Sequence, residues 1–167
     1  MPGETGKGFL MVLGIDNFKN INTRYGRGFG NHVLKEVAEI LEEIVGSHFQ
    51  VYRLDSDKYA INVVNEEKEI VEELYYHVQE RIYLQCTMSS GVTEYDSSEA
   101  QDADTIYQHA ENALDMAKKQ GKNTQVFFAA EEFEKQLSMI ELQEELKKSV
   151  INHFQGFSVH YQPQIKL

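Results

Sequence analysis

The chain has 167 residues with 41% hydrophobic and 11% aromatic side chains, enough for one domain of ordinary size and a small appendage. Its formal net charge of −11 excludes a general nucleic-acid or membrane-surface binder, because phosphate groups repel such a field, while leaving room for a small nucleotide in a local basic pocket. No apolar run approaches the roughly 18 residues of a membrane span, residues 1–10 lack the blocks of a signal peptide, and the single cysteine, Cys86, cannot close an internal disulfide; a cytoplasmic location is expected.

Residues 1–7 read as a polar, disordered lead-in, in part a cloning remnant. Residues 8–15 (GFLMVLGI) form a nearly continuous apolar run, as in a strand buried on both faces. Residues 16–30 are dense in Asn and Gly and read as a loop holding one apolar pair, Phe18 and Ile21. Val33, Leu34, Val37, Ala38, Leu41 and Ile44 then recur at helical spacing, which predicts a helix over 31–44 capped by Asn31 and closed near Gly46. In residues 51–64 (VYRLDSDKYAINVV) apolar residues alternate around Asp55-Ser56-Asp57-Lys58, which predicts a hairpin pairing Tyr52–Leu54 with Tyr59–Val63 around a solvent-facing tip.

A second helix is expected over 66–80, with Ile70, Val71, Leu74, Tyr75 and Val78 inward. Residues 82–95 read as a strand that buries the Cys86 thiol and carries Ser89-Ser90-Gly91, the glycine marking a bulge or close backbone approach. After a polar loop over 97–104, residues 105–120 form a third helix with Ile106, Ala110, Ala113, Leu114 and Ala117 inward and Gly121 at its end. A short strand over 124–128 precedes a long charged amphipathic helix over 131–153, its apolar side traced by Phe133, Leu137, Ile140, Leu142, Leu146 and Val150. Residues 157–165 (FSVHYQPQI) begin a strand that has no partner downstream. The order predicts an α/β (α+β) fold, a central mixed sheet with one hairpin and helices on its faces. The six histidines show no metal-ligand spacing.

Several stretches carry a family likeness. Ile15-Asp16-Asn17-Phe18-Lys19-Asn20-Ile21-Asn22, then Tyr25-Gly26, then Gly30-Asn31-His32-Val33-Leu34 resemble the opening motif of GGDEF domains, the cyclic-di-GMP synthases, whose fold is nucleotidyl-cyclase-like. Arg53 to Ile61 falls where their signature hairpin belongs. Ser89-Ser90-Gly91-Val92 and the stretch from Ala113-Leu114 through Lys118 to Lys122-Asn123 are similar to later motifs. Tyr161-Gln162-Pro163-Gln164 resembles the opening of the EAL phosphodiesterase domain that often follows. The resemblance implies a disordered or foreign N-terminus over 1–7, a degenerate GGDEF domain over 8–128, a linker helix over 129–155 and the truncated first strand of an EAL domain over 156–167.

Active members bind GTP with two divalent metal ions, and two domains face each other to join two nucleotides. Each role maps onto this chain as follows. The first metal carboxylate falls on Gly14, which has no side chain to ligate; the neighbouring carbonyl of Ile15 and the carboxylate of Asp57 remain, a weak metal set. The two signature glycines fall on Asp55 and Ser56. The acid that assists the attacking hydroxyl falls on Lys58, and a lysine at an exposed tip is a poor general base; Tyr59 completes the degenerate hairpin. Asn22 keeps the base-reading amide, while its carboxylate partner falls on Asn31, which costs guanine selectivity about 1–3 kcal/mol. Phe18 and Lys19 belong to the same nucleotide-binding set. Lys118 and Lys122 match the triphosphate-holding cations, although cations near a helix C-terminus also complement its dipole. The stretch where the Arg-x-x-Asp inhibition motif belongs reads Val45-Gly46-Ser47-His48-Phe49, so feedback by cyclic-di-GMP there is not expected.

The expectation is a catalytically degenerate, GTP-binding regulatory module that controls an attached EAL phosphodiesterase. The alternatives are a weakly active diguanylate cyclase using Asp16 and Asp57, and a dimerisation spacer that binds no nucleotide. The expected partners are GTP or another purine nucleotide, the chain's own EAL domain and, as an option, a second copy of the chain. Mg2+ is expected only with a bound nucleotide, and no nucleic acid or membrane contact is expected.

Overall fold

The computed structural model describes residues 6–82, 86–99 and 101–152, so the strand expected over 157–165 lies outside it. Nine consecutive residues of β1 (Lys7–Ile15) form the middle of a five-stranded mixed sheet. The strand order is β2 (Gln50–Arg53), β3 (Lys58–Val64), β1, β4 (Met88–Asp96), β5 (Gln125–Phe127). β1 runs antiparallel to both neighbours, pairing Gly14 with Lys58 on one side and with Ser89 on the other. β5 runs parallel to β4.

A central strand has two buried faces, and period 2 divides its side chains between them. Phe9, Met11, Leu13 and Ile15 enter the main core, packed with Val33, Val37 and Leu41 of α2 (Arg27–Val45) and Val71, Val78 and Ile82 of α3 (Lys68–Ile82). Val12 faces the other way, against Ala110 and Leu114 of α4 (Ala103–Lys119). α4 approaches the sheet closely at Gly91. A β-carbon there would stand 2.1 Å from the Leu114 nitrogen and 2.2 Å from the Ala110 oxygen, so the glycine foreseen in β4 marks a close backbone approach rather than a bulge.

Four expectations need correction. Residues 16–30 are not a loop: α1 (Phe18–Tyr25) fills most of them, and α2 begins at Arg27. Gly26, at φ 85°, ends α1 and opens α2, so Asn31 is an exposed residue inside a helix and not its cap. The low helix propensity of Gly28 and Gly30 hid that first turn. The hairpin pairs Arg53 with Tyr59, which puts Leu54 in the turn and Lys58 in β3 rather than at the tip. Cys86 precedes β4; its N–H donates to the Ile82 carbonyl at 3.2 Å, and it packs half-buried on the main core.

Gly121 does close α4. It has φ 126°, and the Lys122 N–H reaches back to the Ala117 carbonyl at 3.1 Å, the bond of a Schellman ending. The chain divides at Phe128. The second unit holds α5 (Ala130–Ile151), where the expected apolar side is uncovered: Leu137, Ile140, Leu142, Leu146 and Val150 are exposed. No helix among the described residues is long and apolar enough to cross a membrane.

Candidate functional site

The C-terminal end of β1 is where the sequence-derived residues converge. The Ile15 N–H donates to the Asp57 carbonyl at 3.1 Å and the Asp16 N–H to the Thr87 carbonyl at 2.9 Å. The hairpin turn is thereby tied to one side of β1 and the start of β4 to the other. Within the turn the Lys58 N–H donates to the Asp55 carbonyl at 2.7 Å, and the Leu54 N–H to the Lys58 carbonyl at 3.0 Å. Ser56, expected at a signature-glycine position, is left-handed with φ 38°, a conformation that glycine adopts without strain.

Lys58 points along the sheet face that α4 covers. Its ammonium pairs with Glu111, and the Tyr107 hydroxyl donates to the same carboxylate oxygen at 2.8 Å. The hydrogen bond to Glu111 raises the Lys58 pKa above the ordinary lysine value, against a smaller lowering by desolvation. Desolvation alone would raise Glu111; the bonds from Lys58 and Tyr107 together outweigh it and hold that carboxyl low. Lys58 was expected at an exposed tip. It is instead 30% exposed and bound to a helix, and so is held charged by a partner, a stronger reason for being a poor base.

Lys118 lies two turns further along α4. Its Nζ is 4.0 Å from Asp57 Oδ2. A β-carbon on Gly14 would stand 2.9 Å from that same Nζ and 3.2 Å from Leu114 Cδ2, so the ammonium fills the space a side chain at residue 14 would take. Lys122 donates to Asn17 Oδ1 at 2.6 Å. Asn17, Lys122 and Asn123 all have positive φ (56°, 68° and 46°). Three such non-glycine residues in two adjoining loops mark a backbone over-determined by its contacts.

Asp16 is one of those contacts. It is 3% exposed and accepts hydrogen bonds from Thr87 Oγ1 at 2.8 Å, Ser89 Oγ at 2.7 Å and the Asn123 N–H at 3.0 Å. Its carboxylate joins β1, β4 and the loop after α4, and has no free oxygen to stand in for Gly14.

The two residues expected to read a base, Asn22 and Asn31, are on α1 and α2. Asn22 Oδ1 rests 1.9 Å from the point a β-carbon on Gly30 would occupy, which brings its amide beside the helix turn that carries Asn31. Lys19 is exposed, whereas the Phe18 ring is buried in the main core and serves packing. Glu111, Tyr107, Asn17 and Asn123 were not foreseen as site residues. The spacing of Tyr107, Glu111 and Lys118 at i, i+4 and i+11 on one helix face was the available signal for the first two.

A sequence model of the family described as "Diguanylate cyclase, GGDEF domain" matches residues 3–124. An uncharacterized Bacillus subtilis protein, YtrP, is 31% identical over 121 residues, covering 70% of this chain and 21% of its own length. The diguanylate cyclase DgcS of Shewanella oneidensis is 29% identical over 121 residues, covering 68% of this chain and 40% of its own length. The chain therefore spans between about a fifth and two fifths of these curated relatives. Among solved structures, the GGDEF domain of DgcB from Caulobacter crescentus, determined in complex with c-di-GMP, superimposes with a TM-score of 0.68 at 21% identity, covering 73% of this chain and 78% of that one. With the five-stranded sheet, the hairpin and the α4 cations already in place, these likenesses assign the chain: it belongs to the GGDEF domain family of cyclic-di-GMP signalling proteins.

Proposed function

We propose that this domain is a catalytically inactive GGDEF module that binds a purine nucleotide and regulates a phosphodiesterase on the same polypeptide. The observation that carries the reading is the Lys58–Glu111 pair. The residue standing where the family has its hydroxyl-assisting acid is a cation whose proton is held by a carboxylate, so it cannot accept the ribose proton. The residues present also do not fit two divalent ions. Gly14 offers no ligand, Asp16 is spent on three donors, and no group of three or more His, Cys, Asp or Glu side chains among the described residues is placed to hold a metal ion.

What favours a retained nucleotide is the cation supply. Lys118 and Lys122 bracket the end of α4 at the mouth of the site, and Asn22 keeps its amide against Gly30. Phosphates need positive charge and N–H donors more than they need a general base. The regulatory target is proposed from the EAL-like Tyr161-Gln162-Pro163-Gln164, which lies outside the described residues.

Calorimetric titration of the domain with GTP, and with ATP in parallel, tests binding, and incubation with GTP and Mg2+ followed by chromatography tests synthesis. Micromolar binding without cyclic-di-GMP formation is the expected result, with ATP close behind GTP because Asn31 accepts only one of guanine's two adjacent donors. Formation of cyclic-di-GMP that scales with enzyme would overturn the inactive reading. Absence of binding at millimolar nucleotide would overturn the ligand.

A further inference from the structure

Around Gly14 the usual logic of a phosphate site is reversed. Three elements meet there: the end of β1, the hairpin turn anchored to it through the Ile15 N–H and the Asp57 carbonyl, and the last turn of α4. They bring one carboxylate, Asp57, and one ammonium, Lys118, with Nζ and Oδ2 4.0 Å apart and side chains 27% and 23% exposed. The ammonium lies 2.9 Å from the place of the missing β-carbon of residue 14. A divalent cation wants several oxygen ligands carrying net negative charge. Here it would find one carboxylate, already balanced by a fixed positive charge within a few ångströms.

We propose that Lys118 is a built-in replacement for the divalent cation, so that this site binds a nucleotide's phosphates without metal and Mg2+ opposes the binding instead of assisting it. The inference rests on the nucleotide-binding reading given above. Its physical content is charge complementarity. Metal-free phosphate presents its full negative charge to Lys118 and to Lys122 nearby. A magnesium complex presents less charge and brings a second cation against an ammonium.

Two measurements test this, one of which needs no nucleotide. In the first, Mn2+ binding to the domain is followed by electron paramagnetic resonance for the wild type, Asp57→Asn, Gly14→Asp/Lys118→Met, and that double variant carrying Asp57→Asn as well. The expected result is that Asp57→Asn leaves the wild-type titration unchanged. The double variant gains one Mn2+ site, which Asp57→Asn then removes. A wild-type Mn2+ site that disappears in Asp57→Asn overturns the inference, as does failure of the double variant to gain a site while its thermal melt stays cooperative.

In the second, GTP is titrated in EDTA and in excess Mg2+, with Lys118→Met alongside. Affinity in EDTA equal to or above that in Mg2+, and falling about tenfold or more in Lys118→Met, supports the replacement. Binding that requires Mg2+ overturns it and leaves the nucleotide-binding reading standing. No binding in either condition overturns the nucleotide-binding reading, and the Mn2+ titration then decides the cation question alone.

Discussion

Asn22 Oδ1 lies 1.9 Å from where Gly30 would carry a β-carbon, so a glycine on α2 is what allows an α1 amide to sit where it does. In Gly30→Ala two effects oppose each other. Alanine improves helix propensity by about 1 kcal/mol, while the new methyl must push Asn22 aside and would stand 3.3 Å from Phe18 Cζ. Asn22 ends in a flexible side chain and can rotate away. Thermal stability is therefore expected to change by no more than about 1 kcal/mol, with nucleotide affinity falling about tenfold as the amide leaves its place. Melting curves and a GTP titration on the same preparation separate the two effects; unchanged affinity would remove Asn22 from the site.

Asp16 gives a prediction of the opposite kind, large in stability. Its carboxylate serves two hydroxyls and the Asn123 N–H. In Asp16→Ala all three donors lose their acceptor, and the Asn123 N–H, being backbone, cannot rotate to find another. A loss of about 2–3 kcal/mol is expected, read as a lower urea midpoint at unchanged slope. A loss below about 0.5 kcal/mol would contradict the structural role.

The Lys58–Glu111 pair has a pH signature on each side. Lys58 has a raised pKa in the folded state, so its contribution is complete below the ordinary lysine value and is lost as pH climbs through the raised one. Glu111 has a lowered pKa, so its contribution is complete above the ordinary glutamate value and is lost as pH falls through the lowered one. With each side chain 30% exposed, the pair is worth about 1 kcal/mol or less. Glu111→Gln should flatten the acid limb of a plot of melting temperature against pH below the ordinary glutamate value of 4.5. Superimposable limbs would show that the pair contributes nothing.

Cys86 should be chemically quiet. Burial, with the negative charge of Asp16 adding to it, pushes the thiol up to about 12, and only the thiolate reacts. Labelling with a thiol reagent at pH 8 is expected to be about a hundredfold or more slower in the native protein than in urea. Comparable rates would mean that the segment before β4 opens readily.

What could be read from the sequence was what short-range patterns encode. β1 announced itself by eight consecutive residues with no charge, and Gly121 by its position after a helical stripe. α1 stayed hidden because residues 16–30 around it are dense in Asn and Gly, and its one buried residue, Phe18, is held by tertiary packing that local propensity does not register. The assignment of Lys58 failed in place but not in chemistry: its partner is 53 residues away, across a sheet face that no local window spans. Asp16 is the clearest case. Its donors lie 71, 73 and 107 residues downstream, so a residue that looked like a spare metal ligand is a structural junction.

The alternation of charge between the hairpin and α4 bears on how those two parts can move. Read along the hairpin the signs run Asp57 negative, Lys58 positive; read along α4 they run Glu111 negative, Lys118 positive, with each acid answering the other element's base. If α4 slid along its axis by the seven residues separating its two charges, about 10.5 Å, Lys58 would meet Lys118 and Asp57 would lose its partner. The hairpin and helix therefore have one electrostatic register. Sliding α4 along its axis would break both pairs and set two ammonium groups against each other, so it is the motion the charges disfavour.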